Sequence, residues 1–381
     1  MTNIRIAYFS HDSILEGVGR SQILALCKSL VRANVDVSLF SFEKSTPTKS
    51  FIEETNENGL VWTVFDFYSD NPFKSIGRIK SLRDVDGDYQ LIHARGDLPT
   101  FAGVLRNREP VLWDIRSLWA EQRHILNPRK FNPLVMSVLN RIRKYNSNHV
   151  TGYNTLTHAI KPYLRDKYPS LPNISSVIGT CVDTDFFAFS DSFPRHHQGL
   201  LSGTYNEIYN GSLIAKFSNY MKSQFQHRIV WAKGKESSQK PQVLGEDFSY
   251  CLSYDQMPSI IAESSYGMAV CKNDLGPSLA AAMPTKIAEF LSVGRPVVLN
   301  SNLGDVKTEL IDANVGVMLN DESDIPSAAR KLLTLLEDET TPKRCRTVAE
   351  NTFALKHATE TYTEIYREIL NCPLAKQKAL H

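Results

Sequence analysis

At 381 residues the chain is too long for one ordinary core and predicts two domains. Its 42% hydrophobic and 22% charged residues are those of a globular protein, and its longest apolar runs fall short of the ~18–20 residues that span a bilayer. A net charge of +2 argues against a protein built to coat nucleic acid. Six scattered cysteines with no C-x-x-C pair indicate neither a zinc site nor a disulfide framework, which favours a reducing cytoplasm.

The opening "MTNIRIAYFSHDS" lacks a basic-then-apolar leader pattern, and "IRIAYF" (4–9) predicts a first strand. "SQILALCKSLVRA" (21–33) has the spacing of an amphipathic helix, and "VDVSLFSF" (35–42) that of the next strand. Further strands are expected at 60–67, 91–94, 110–115, 149–153 and 174–179. A second series begins at "LLSG" (200–203) and continues at 228–232, 267–271, 296–300 and 315–319. Between the two series, "DTDFFAFSDSFPRHHQG" (183–199) is polar and without helical period, which marks a linker. Strands alternating with helices imply parallel sheets covered on both faces. The expected division is residues 1–185, 186–354 and a terminal segment 355–381, whose helix "ATETYTEIYREIL" aligns Tyr362, Ile365, Tyr366 and Ile369 on one stripe. That helix has no strand after it and is expected to cross the domain boundary. Two doubly wound units on one linker leave a cleft, with ligands off the carboxyl ends of the strands.

The most informative stretch is "SLAAAMPTKIAEFLSVGRPVV" (278–298). Pro284 suits the first position of a helix, leaving first-turn N–H groups and the positive helix end free for an anion. Lys286 adds a full charge there, and Glu289 follows on nearly the same face, about 4.5 Å along the axis. Phosphate near Lys286 and a diol near Glu289 have the layout of a nucleotide diphosphate and its ribose. The bland alternative is a capped helix with an exposed ion pair. Gly294 ends the helix before the next strand.

In the first half, "LEGVGRSQ" puts Gly17 and Gly19 after the first strand, where glycine lets backbone approach a ligand. A dehydrogenase fingerprint through Gly17, Gly19 and Glu43 fails, because Gln22 stands where glycine or alanine is needed. His93, Asp114 and Arg116 fall at strand ends and are expected to point toward the cleft, although a lone strand-end histidine is often structural. Asp114 and Glu121 also have the alternative of ion pairs with Arg116 or Arg123. From Arg116 to Lys144 seven Lys/Arg face one acid, Glu121, either as a solvated helix face or as a surface toward anionic lipid or a phosphorylated acceptor.

"MPTKIAEFLSVGRPVV" resembles the donor-nucleotide motif of family 4 glycosyltransferases, enzymes of the GT-B fold with two facing Rossmann-like domains. "SHDSILEGVGRSQ", "HAR" (93–95), "WDIRSLWAEQR" (113–123), "VIGTCVDTDFF" and "LLSGTYN" agree in order and extend the resemblance over most of the chain. It is closest to the bacterial exopolysaccharide and surface-glycan subgroup. The resemblance implies that Glu289 holds the ribose, that Pro284, Thr285 and Lys286 meet the diphosphate, and that acceptor- and sugar-contacting groups, His93, Asp114 and Arg116 among them, lie in the first-half loops. The chain departs from the pattern at Ala281, where relatives carry a sugar-contacting Glu, and at Trp113, where many have His. After Gly203 it lacks the usual Arg, with only Lys216 at a distance. Lys233, Lys235 or Lys272 could supply the missing charge. The implied activity is retaining transfer of a sugar from a UDP- or GDP-linked donor to a glycan or polyprenyl-linked acceptor, in bacterial surface-glycan synthesis. No metal and no cofactor beyond the donor is expected, and no nucleic acid partner. The expected location is the cytoplasm, with the basic stretch against the inner membrane face. The alternatives are a sugar-nucleotide epimerase of the same architecture and a non-catalytic nucleotide-sugar or glycan binding subunit.

Overall fold

The computed structural model describes residues 3–15, 17–56, 59–66, 72–195, 198–203, 208–234 and 249–373. The chain forms two compact units, Met1–Gly179 with Leu355–His381, and Thr180–Ala354. No helix among the described residues is long and apolar enough to cross a membrane.

In the first unit, β1 (Ile4–Ser10), β2 (Val35–Glu43), β3 (Leu60–Asp66), β4 (Leu91–Arg95), β5 (Val111–Ile115), β6 (Gly152–Thr155) and β7 (Ser175–Val177) form one sheet in the order β3-β2-β1-β4-β5-β6-β7. Every pairing is parallel. β4 and β5 are buried at every position, as strands covered on both faces must be. In the second unit, β8 (Gln198–Ser202), β9 (Arg228–Gly234), β10 (Ser249–Leu252), β11 (Tyr266–Ala269), β12 (Val297–Leu299) and β13 (Gly316–Met318) run parallel in the order β10-β9-β8-β11-β12-β13. The strand order reverses between β1 and β4 in one sheet and between β8 and β11 in the other. These are the points where doubly wound sheets open for ligands.

The expected strands are present, and β10, only four residues long, is an addition the periodicity did not signal. Residues 183–195, read as a linker, pack within the second unit instead. Phe187 is buried, its carbonyl accepts from Ser292 Oγ at 2.7 Å, and Val182 N–H donates to Phe353 O at 2.8 Å. The FF pair gives this polar stretch apolar side chains to bury, which overrides its composition. The terminal helix Leu355–Asn371 belongs to the first unit, with Tyr362, Ile365, Tyr366 and Ile369 all buried and Thr359 Oγ1 2.7 Å from Ser29 Oγ.

Candidate functional sites of the two units

The helix Thr285–Val293 joins β11 to β12, so its first turn lies at the carboxyl end of β11, beside the strand-order reversal. Pro284 is its N-cap, in an extended conformation, rather than its first helical residue; no side chain caps the turn. The first-turn N–H groups therefore keep their capacity for an outside acceptor. Gly294 ends the helix with φ +93°, a left-handed conformation that glycine adopts freely.

From Lys286 to Val293 every residue of this helix is buried. Lys286 is 5% exposed and Glu289 9%, which rules out an exposed surface pair. Lys286 Nζ has no hydrogen-bond partner among the described residues and stands 3.9 Å from the centroid of the Tyr209 ring. Burial lowers the Lys286 ammonium to about 8, against the opposing pull of Cys271 and Glu289. Burial also raises the Glu289 carboxyl to about 7, with Lys286 drawing it back only in part. A buried cation without a hydrogen-bonded acceptor is costly. Such a group is well suited to an anion that completes its shell.

Tyr209 is the member of this site that the sequence did not single out. An antiparallel bridge between Tyr209 and Cys271, with Lys272 N–H donating to Ile208 O at 2.8 Å, joins the segment before the helix Gly211–Phe225 to the chain leaving β11. The aromatic in "EIYNGS" was the only local signal. Lys272 is half-buried at the end of that same segment. Gly203 follows β8 with φ +84° and is exposed, at the same strand ends. Lys233 lies near the carboxyl end of β9, paired in register with Cys251. Lys235 lies outside the described residues. Lys216 forms an ion pair with Glu322 on the surface. Ala281 is buried and follows the short helix Pro277–Ala280.

In the first unit, His93, Asp114 and Arg116 do converge, but as an interior network. His93 and Asp114 are fully buried, with His93 Nε2 3.4 Å from Asp114 Oδ2. Asn154 Nδ2 donates to Asp114 Oδ1 at 2.6 Å, and the guanidinium groups of Arg116 and Arg95 lie 3.6 and 3.7 Å from the carboxylate. Burial works to raise the Asp114 carboxyl, but Arg116, His93 and Arg95 together hold it well below the usual range. Burial, with Arg95 and Arg116 nearby, lowers the His93 imidazole against the opposing pull of Asp114. Arg116 also donates to the carbonyls of Ile178 (3.0 Å) and Gly179 (3.3 Å), fixing the end of the first unit's chain. Arg95 was not among the sequence candidates; its Nε donates to Asp12 Oδ2 at 3.3 Å, beside the strand-order reversal.

Gly17 is exposed with φ +58°, whereas Gly19 is buried at a tight crossing. The loop between them and β1 is held by Glu43, which accepts from Ile14 N–H at 3.0 Å, Ser41 Oγ at 2.6 Å and Ser13 Oγ. That carboxylate, the acid of the failed dehydrogenase fingerprint, is committed to the loop.

The basic stretch also divides. Arg143 is 2% exposed and bonds Asp97 and Glu121 at 2.6 Å, while Lys167 reaches Glu121 at 2.9 Å. Burial would raise the Glu121 carboxyl, but Arg143 and Lys167 hold it at about 2. Glu121 is thus paired with Arg143 rather than Arg123. Arg116 is half-buried beside Asp114, whereas Arg123, Arg129, Lys130, Arg141 and Lys144 are exposed.

Neither the family models nor the curated proteins give a match to this sequence. Solved structures do. Sucrose-phosphate synthase from Thermosynechococcus elongatus superposes with a TM-score of 0.73 at 14% identity, over 96% of this chain and 99% of that one. A glycosyltransferase from Rickettsia africae gives 0.65 at 12% identity, over 97% and 100%. Anabaena HepE, solved with UDP and glucose, gives 0.63 at 14% identity, over 96% and 100%. At such identities the likeness speaks for architecture. The chain has the GT-B fold of two Rossmann-like domains, as the structures of glycosyltransferases do.

Proposed function

We propose that the protein is a glycosyltransferase that takes its sugar from a nucleotide-diphosphate donor bound by the second unit. The observation that carries this reading is the buried Lys286 ammonium, without a hydrogen-bond partner, on the uncapped first turn of a helix at the strand-order reversal. A diphosphate there accepts from the ammonium and from first-turn N–H groups, and Glu289, one turn on, takes the ribose hydroxyls. HepE was solved with UDP and glucose, which supports a uridine-linked donor, with a guanosine-linked one as the alternative.

In the transfer step the acceptor hydroxyl attacks the anomeric carbon, the bond from that carbon to the diphosphate oxygen breaks, and the hydroxyl proton passes to the departing phosphate. Lys286 and the helix N–H groups stabilise the charge that grows on the leaving group. The proposed outcome is retention, with the acceptor approaching on the leaving-group face. In this scheme no carboxylate base is required, in keeping with Ala281. Lys272 and Lys233 are the further candidates for the diphosphate, and Gly203 for close backbone approach. In the first unit Gly17 is the proposed point of close backbone approach to a ligand, Gly19 serves the packing of its loop, and the proposed acceptor side comprises Arg116, with His93 and Asp114 as positioning residues beneath it. The acceptor class is a glycan or polyprenyl-linked saccharide, and the placement is in the family 4 surface-glycan subgroup.

The test is calorimetry with UDP and GDP on the unaltered protein and on Lys286→Met. Loss of one charge-assisted phosphate contact should weaken binding about 10- to 100-fold. Glu289→Gln should weaken ribonucleotides more than their 2′-deoxy analogues. Absence of nucleotide binding, or equal affinity after Lys286→Met, refutes the donor site. Release of nucleoside diphosphate only on adding acceptor supports transfer. A donor isomerised without acceptor would mark an epimerase instead, and binding with no turnover a non-catalytic subunit.

A further inference from the structure

The helices Trp119–Leu126 and Pro133–His149, both between β5 and β6, pack on each other and on the first unit through Ala120, Phe131 and Leu139. Their outward faces are unusual. A surface helix ordinarily turns polar residues to solvent and apolar ones to the core. Here Leu134 is 75% exposed and Val138, one turn on, 49%, while Trp119 and Ile125 on the neighbouring helix are 43% and 41% exposed. Trp119 is held outward by an edge-on contact with Phe131 at 5.2 Å, with the Arg123 guanidinium 6.0 Å from its ring.

These apolar groups are interspersed with the exposed cations Arg123, Arg129, Lys130, Arg141 and Lys144. The acid of the segment, Glu121, is taken by Arg143 and Lys167, so it does not offset them. A cavity of about 570 Å³ opens between these elements, lined by Met136, Asn140, Arg141 and Lys144 among others. Apolar side chains among uncompensated cations match the interface of a bilayer with acidic headgroups, where hydrocarbon and negative charge lie within one side chain's reach. A nucleic acid would be matched by the cations but not by Leu134 and Val138, and an apolar protein partner by the reverse.

We infer that this face docks on an anionic phospholipid bilayer, with Trp119, Ile125, Leu134 and Val138 entering the headgroup–acyl boundary and the five cations meeting lipid phosphates. The docking stands independently of the donor site in the second unit, and its test involves no nucleotide.

The experiment is flotation of the full chain with vesicles of phosphatidylcholine alone or mixed with phosphatidylglycerol. Binding is expected only to the mixed vesicles and should weaken as salt rises past about 0.1 M, where charges are screened over ~10 Å. Reversing Arg129, Lys130, Arg141 and Lys144 to Glu should lower the bound fraction at least about tenfold. Leu134→Ser with Val138→Ser should also lower it, and Trp119 fluorescence should be quenched by brominated lipid, an effect lost in Trp119→Phe. Absence of flotation with mixed vesicles at low salt overturns the inference. So does binding that the charge reversal or the two serine changes leave intact in folded protein, or retention by an RNA oligonucleotide in place of vesicles. The salt titration and the quenching use unaltered side chains at the other positions, so a misfolded variant does not shield the inference.

Discussion

His93 Nδ1 and Tyr366 Oη lie 2.6 Å apart although 273 positions separate them in the chain. The two atoms share a hydrogen bond, and Nε2 on the other side of the ring faces Asp114 Oδ2 at 3.4 Å. The stacked rings of Tyr362 and Tyr366 flank His93, and Tyr362 Oη accepts from Asn154 Nδ2 at 3.2 Å. The terminal helix is therefore fastened to β4 and β6 by polar contacts inside an apolar interior, where each unmade hydrogen bond costs more than it would at the surface.

Tyr366→Phe keeps the ring but strands Nδ1 of a fully buried histidine. The expected loss is about 1–3 kcal/mol. It is read as a lower urea midpoint for the first unit, accompanied by faster hydrogen exchange in Leu355–Asn371. Unchanged protection of that helix would show that the bond does not fasten it.

Lys286 and Glu289 make stability depend on pH in opposite directions. Burial lowers Lys286 from 10.5 to about 8, so between those values the unfolded chain binds more protons and stability rises with pH. Burial raises Glu289 from 4.5 to about 7, so between those values the folded chain binds more protons and stability falls as pH rises. The pair's contribution is lowest between about pH 7 and 8, where both are charged. Lys286→Met should therefore stabilise the protein near neutral pH, by about 1–3 kcal/mol, and remove the alkaline rise. Thermal unfolding across pH checks both effects.

The same lysine gives diphosphate binding a proton signature. A bound diphosphate favours the charged ammonium, so above about pH 8 binding should draw in up to one proton and affinity should decline with rising pH. Calorimetry of UDP or GDP binding in buffers of differing ionisation enthalpy measures this uptake. An uptake of zero at pH 9 would place Lys286 away from the diphosphate.

Gly17 and Gly19 should respond differently to alanine. A Cβ at Gly19 would stand 1.7 Å from Ser13 O, on a loop whose neighbouring groups are held by Glu43. Gly17 has open space around it and only its φ of +58° to satisfy. Gly19→Ala should cost about 2–4 kcal/mol and Gly17→Ala about 1. Urea midpoints compare them, and equal losses would contradict the crossing.

Local sequence sufficed for the alternation of strands and helices, for Gly294 as a helix stop and for the apolar stripe through Tyr362 and Tyr366, because near neighbours set backbone preference and periodicity. It also marked Lys286 and Glu289 as chemically out of place in an apolar helix. The tertiary structure alone decided that Lys286 stacks on Tyr209 without a hydrogen-bond partner, that His93 and Asp114 face inward, and that Arg143 is committed to Glu121 while five of its basic neighbours stay exposed. Charge state, burial and pairing depend on what distant segments bring within a few ångströms, and no spacing along the chain carries that information.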